Sequence, residues 1–213
     1  ALGLSTKLRC LSGTIYLSFA RFLMCDVDES MDVNFSHFEF LTLHTGQAEK
    51  FIAACTTEDD VGVVLRIHLL LEKDIEVWCA CASNNGKFFQ GFDENLTLEF
   101  SSKAQLALNF GLSESLYKAV KRINKIRNVR AHQIDKFAIT DSEIDSLSSL
   151  LRVGYPPHLL PMNEFNAQID GGKIFTFTSD ETPNRLKFIM LYSILKMRMC
   201  DEALQQLHAK SRQ

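Results

Sequence analysis

An apolar repeat of 3.6 residues between positions 57 and 83 constrains this chain more than any other feature. Val61, Val64, Leu65, His68, Leu71, Ile75, Trp78, Cys79 and Ala82 fall on one stripe of a helix and hold it over several turns. Thr57 offers a capping hydroxyl just before Glu58, Asp59 and Asp60, acids that favour a helix N-terminus. The spacing therefore predicts a long helix that starts at Thr57 and ends near Ser83.

The same period recurs along the chain. A short helix is predicted over 46–56, with Ala48, Phe51, Ile52 and Cys55 on one face. Asn84-Asn85-Gly86 opens a loop that turns Phe88, Phe89 and Phe92 inward. Ser101 or Ser102 then caps a helix carrying Ala104, Leu106, Ala107 and Phe110, ended by Gly111. Ser113 caps the next, with Leu116, Ala119, Val120, Ile123 and Ile126 as its apolar face. Another begins after Thr140-Asp141 and includes Ile144, Leu147, Leu150 and Leu151. Three of the four prolines and Asp170-Gly171-Gly172 break the pattern between 154 and 182, where Ile174 to Thr178 alternates like a strand. Thr182 as cap and Pro183 as first helical residue open a long final helix, whose Leu186, Ile189, Met190, Met197, Cys200, Leu204 and Leu207 face the bundle or a partner.

These segments add up to an all-α fold, a helical bundle with a long C-terminal helix and a short β-hairpin before it. The expected divisions are an N-terminal extension over 1–45, the bundle over 46–155, the loop and hairpin over 156–182, and the C-terminal helix over 183–213, packed on the bundle. Within the extension, Leu4 to Met24 reads as one helix and Asp26 to Asn34 as an acidic loop. The chain begins with Ala1, so Met24 and Met31 are candidate natural starts.

Charge is informative only locally. The net charge is -3, yet residues 116–133 carry Lys118, Lys121, Arg122, Lys125, Arg127 and Arg130 with no acid, leaving 17 basic against 26 acidic residues elsewhere. One basic helix is thus set on an acidic body. Lys118, Lys121, Arg122 and Lys125 crowd the face opposite the apolar one, and with Arg130 they are the candidate nucleic-acid contacts. Cys10, Cys25, Cys55, Cys79, Cys81 and Cys200 are scattered, without the paired spacing of a zinc site or the density of a disulfide scaffold. Reduced thiols in a cytoplasmic protein are expected, with no metal and no cofactor. The best apolar run, Gly13 to Met24, contains Arg21 and is shorter than the roughly 18 to 20 residues of a membrane span. No small-residue cleavage site follows it, so no membrane association is expected.

Two arginines fall where apolar residues belong. Arg127 follows Ile123 by four residues, and Arg130 lies near the same face. An unpaired guanidinium in a core is too costly, so this face must open onto a cleft, a second subunit or a buried acid. Glu72 is the candidate partner, four residues after His68 on the stripe of the long helix. It would either fix packing as a buried pair or orient a working Arg127. His132 could exchange a proton with a ribose 2′-hydroxyl or a leaving oxygen, the general acid–base role to which an imidazole is suited. Arg127 would grip the phosphate oxygens through its planar fork, with Asn128 positioning them. Arg127 and His132 are about 140° apart on a straight helix, so joint action needs either a helix that frays or two subunits sharing a site.

Ile126-Arg127-Asn128-Val129-Arg130-Ala131-His132 resembles the Arg-Asn-x-x-x-His signature of the HEPN superfamily, the higher eukaryotes and prokaryotes nucleotide-binding domains. Leu98 to Phe100, Lys103, Leu106, Gly111, Phe137 and Thr140 to Ile144, taken with that signature, are similar to the mannitol operon repressor family of bacterial regulators. The likeness is best from Leu96 to Leu151 and excludes residues 1–45. It implies a HEPN-like helical bundle that dimerises with the motif near the two-fold axis, and a regulatory role exerted through protein or nucleic-acid contacts. In nuclease members of the superfamily the arginine and histidine serve metal-independent RNA cleavage, and the matching positions here are Arg127 and His132, with Asn128 the polar residue after the arginine. The alternative expectation is therefore a toxin or defence endoribonuclease. The partners implied are a second copy of the chain, RNA or DNA, and a regulator or antitoxin protein. No helix-turn-helix for operator reading is recognisable.

Overall fold

Asp59, rather than Thr57, begins the long central helix. The Thr57 hydroxyl donates to the Ala53 carbonyl at 2.6 Å and so closes the preceding helix, leaving the Asp59 carboxylate to accept from the Gly62 amide at 2.6 Å. The computed structural model describes residues 33–44, 47–90, 98–132, 137–168 and 173–210. The helix expected over 4–24, Cys10, Cys25, Phe92 and the turn at 170–172 lie outside them. A 3-10 turn at Phe35–His37 leads into α1 (Phe38–His44), followed by α2 (Gln47–Cys55), α3 (Asp60–Ser83), α4 (Phe100–Asn109), α5 (Glu114–His132) and α6 (Asp141–Arg152). A second 3-10 turn (Met162–Glu164) precedes β1 (Asn166–Gln168) and β2 (Ile174–Thr176), and α7 (Asn184–Lys210) ends the described chain. The fold is all-α, with a short antiparallel hairpin that pairs Asn166 with Thr176 and Gln168 with Ile174.

The helix ends follow from local hydrogen bonds. Asn84 stops α3 in the left-handed region, at φ 56°, and its amide donates to the Ala80 and Cys81 carbonyls. Neither Ser101 nor Ser102 caps α4. The cap position is Glu99, whose carbonyl accepts from the Ser102 and Lys103 amides while its side chain makes no capping bond. Thr140 caps α6, the helix expected to begin after Thr140-Asp141, in a reciprocal box with Glu143. At α7 the Thr182 hydroxyl instead donates to the Thr176 carbonyl of the hairpin, at 2.7 Å. The Pro183 carbonyl takes up the first helical amides, so Pro183 stands just before the helix rather than in it.

The core forms around α3, which packs against α1, α2, α4, α5 and α7. Trp78 is fully enclosed, with the Phe35 and Phe38 ring centroids 4.9 and 5.5 Å away. Ile67, Leu70 and Val77 are buried as well as the stripe, because α7 covers that side and presents Tyr192 and Lys196 to the buried Asp74 at 2.7 and 3.2 Å. That shifts the buried arc, and Leu65, placed in the core by periodicity, stands exposed beside Leu69. From α7, Glu202 accepts from both the amide and the hydroxyl of Ser113, at 3.0 and 2.6 Å, fixing the start of α5. Arg198, buried beneath Tyr155, donates to the Leu151 carbonyl at 2.8 Å and holds the end of α6. Burial pushes the thiols of Cys55, Cys79, Cys81 and Cys200 up to about 12, which keeps them protonated near neutrality. Among the described residues no helix is long and apolar enough to cross a membrane.

Candidate nucleic-acid interface

Helix α5 carries the basic segment and runs unbroken to His132. Leu116, Ala119, Val120, Ile123 and Ile126 are buried against the bundle. Their alternating three- and four-residue spacing leaves a complementary stripe outside, formed by Lys118, Lys121, Lys125, Asn128 and His132, all exposed. At a rise of ~1.5 Å per residue the stripe extends about 21 Å. Lys118 forms an exposed ion pair with Glu114 at 2.7 Å, and Lys121 lies 5.4 Å from the Tyr117 ring centroid. Lys125 and His132 have no partner among the described residues. Arg122 is half-buried on the flank, its Nε without an acceptor among the described residues.

Arg130 does not belong to this surface. Its side chain is 1% exposed and is paired with Glu143 at 2.9 and 2.6 Å, with further bonds to the Ile126 and Ala138 carbonyls. Charge alone places Arg130 among the nucleic-acid contacts, but α6 brings Glu143 to the same end of α5 and takes up the fork. Burial by itself would raise the pKa of Glu143, yet the hydrogen bonds from Arg130 and Thr140 hold it below the usual glutamate range.

Glu72 likewise does not meet Arg127. Helix α4 lies along that part of α3 and brings in Lys103, whose ammonium donates to Glu72 and Glu76 at 2.7 Å each and stands 5.7 Å from the Phe89 ring centroid. Lys103 is nearly buried, and a lysine amid the apolar positions of α4 was the signal that could have revealed the pair. Arg127, half-buried, donates to Asn128 Oδ1 at 3.0 Å, while its Nε has no acceptor among the described residues. Its charge acts on His68, which is buried beneath Phe100 with ring centroids 4.3 Å apart and with Nε2 3.0 Å from Asn124 Oδ1. Burial lowers the pKa of His68 and the Arg127 charge adds to this, outweighing the hydrogen bond that His68 Nε2 donates to Asn124 Oδ1 and the charge of Glu72, so the ring is neutral near pH 7. Asn124 was not singled out from the sequence, although Tyr117, Lys121, Asn124 and Asn128 follow one helical row.

Within the signature, Arg127 and Asn128 are joined and Asn128 and His132 share the outer stripe, whereas Arg127 and His132 diverge. The unbroken helix removes fraying as a way to aim both at one phosphate in a single chain. No protein-family model, curated protein or solved structure matches the chain.

Proposed function

We propose that the chain is a regulatory protein of the mannitol-repressor kind, with a HEPN-like bundle that works as a homodimer and contacts nucleic-acid phosphates through the outer stripe of α5. The observation that carries this reading is the row of Lys121, Lys125, Asn128 and His132, exposed together and free of acidic partners among the described residues. Most of the protein is acidic, so a field confined to one helix selects a polyanion by approach along that helix rather than by net charge. A regulator or antitoxin protein is the further partner that this reading calls for. The test is fluorescence anisotropy with RNA and DNA strands across a salt series. Replacing Lys121 and Lys125 together by alanine should reduce the slope of log affinity against log salt by about two. Affinity that does not depend on salt, or the same slope in the variant, would overturn it.

Cleavage is the second reading, and it has its own observation. Arg127 spends one donor on Asn128 and His132 spends none inside the described fold, so the signature side chains are not consumed by packing. Two copies arranged about a two-fold axis would bring Arg127 of one chain to His132 of the other. Arg127 would then stabilise the charge on a phosphodiester while His132 moves a proton. Incubation with RNA in EDTA tests this against His132→Ala and Arg127→Ala, and equal cleavage by both variants and wild type would end it. Light scattering supplies the dimer test, since a monomer at micromolar concentration cannot build the shared site.

A further inference from the structure

Between the first turn of α4 and the middle of α5 lies an open groove of about 290 Å³, lined by Phe100, Ser101, Ala104, Tyr117, Lys121 and Asn124. Its aromatic walls are set before any ligand arrives. Phe100 lies against His68, which is itself held by Asn124, and the Tyr117 hydroxyl donates to Gln105 Oε1 at 2.9 Å. Rings fixed in this way lose little freedom when something packs between or beside them. Polar groups converge on the same space. Asn124 uses its oxygen for His68, leaving its amide NH₂ without an acceptor among the described residues, and the Ser101 hydroxyl and Lys121 ammonium are similarly unengaged by any acceptor.

An apolar ligand would strip water from these donors without replacing it, and a lone phosphate would leave the Phe100 and Tyr117 walls without a packing partner. A planar heterocycle with ring acceptors, joined to a phosphate, satisfies both sets. Lys121 belongs to the groove and to the outer stripe at once, so a strand tracked along Lys125 and Lys121 passes the mouth of the groove. We infer that the groove seats an unpaired base of a single-stranded nucleic acid whose phosphates follow that stripe. The inference rests on the reading of the stripe as a phosphate track and adds to it a reason to prefer single strands. Bases in a duplex are stacked and paired, and cannot enter.

The test compares a short single-stranded DNA oligonucleotide with an abasic strand of the same length, by anisotropy at one salt concentration. The intact strand should bind roughly tenfold tighter, the usual effect of one stacked base. Tyr117→Ala should erase that difference and Tyr117→Phe should keep it. Ser101→Trp, at the exposed rim, plugs the groove without entering the core and should weaken the intact strand alone, which covers the case in which Tyr117→Ala does not fold. Equal affinity for intact and abasic strands, with Lys121→Ala/Lys125→Ala weakening both, overturns the base site and leaves the phosphate track standing. Failure of wild type to bind either strand overturns the track and the base site together.

Discussion

Replacing Arg130 by methionine removes a guanidinium that donates to both oxygens of Glu143 and to the carbonyls of Ile126 and Ala138. The methionine fills similar space, so the loss is electrostatic rather than a cavity. Breaking a buried pair by removing one partner costs about 3–5 kcal/mol, because the other charge is left desolvated. Glu143 is 13% exposed in its side chain and retains the Thr140 bonds, which places the expected cost near the lower end, about 3 kcal/mol. For a chain of this size that corresponds to a melting temperature lower by roughly 6–12 °C. Thermal and urea unfolding followed by circular dichroism at the helical band would measure it. Adding Glu143→Leu to Arg130→Met should recover most of the loss, since no charge is then buried alone. Acid titration carries a second signature. The folded-state pKa of Glu143 is lowered, so its contribution is complete above the free glutamate value of about 4.3 and is lost as pH falls through the lowered folded value. A variant as stable as wild type but with weaker nucleic-acid binding would refute the reasoning, because it would return Arg130 to the surface role suggested by its charge.

Two further outcomes follow from the same network logic. His68 has a lowered pKa in the fold, so no penalty exists above about pH 6.5; the penalty grows as pH falls below that and is complete below the lowered folded value. His68→Gln should flatten this part of the pH–stability curve, and an NMR titration showing an unshifted His68 would contradict it. Lys103→Met should destabilise by about 2 kcal/mol because Glu72 loses its cation beside Glu76, which keeps only the partly exposed Lys73 at 3.2 Å, whereas Glu72→Gln should cost less since Glu76 still holds the ammonium. Equal costs in urea unfolding would show that Lys103 does not bridge the two acids.

Helical periodicity made most of the elements legible. α3, α5, α6 and α7 lie along the apolar rows that predicted them, with Thr140 capping α6, and the alternation at 174–178 marked one strand of the hairpin. Errors gathered where a side chain had more than one use open to it. Thr57 and Thr182 have the chemistry of caps but spend their hydroxyls on the Ala53 and Thr176 carbonyls. Leu65 satisfied the repeat, yet the repeat gives the angle of a residue and not which neighbours cover that angle. The basic row of α5 could be read from spacing alone, because exposure on one helix is a local property.

Pairing is a different kind of fact. Arg130 and Arg127 are both arginines near one face of one helix, but α6 delivers Glu143 to the first, while Glu72, the acid expected for the second, is taken by Lys103 from α4. Which cation meets which acid depends on how helices distant in sequence cross, and no period of 3.6 contains that information. Local patterning thus specified the helices and the charged stripe through backbone geometry and amphipathicity. Assembly alone assigned the partners, set His68 against Asn124, and opened the groove beside Lys121, because burial and distance between separate helices exist only once the bundle has closed.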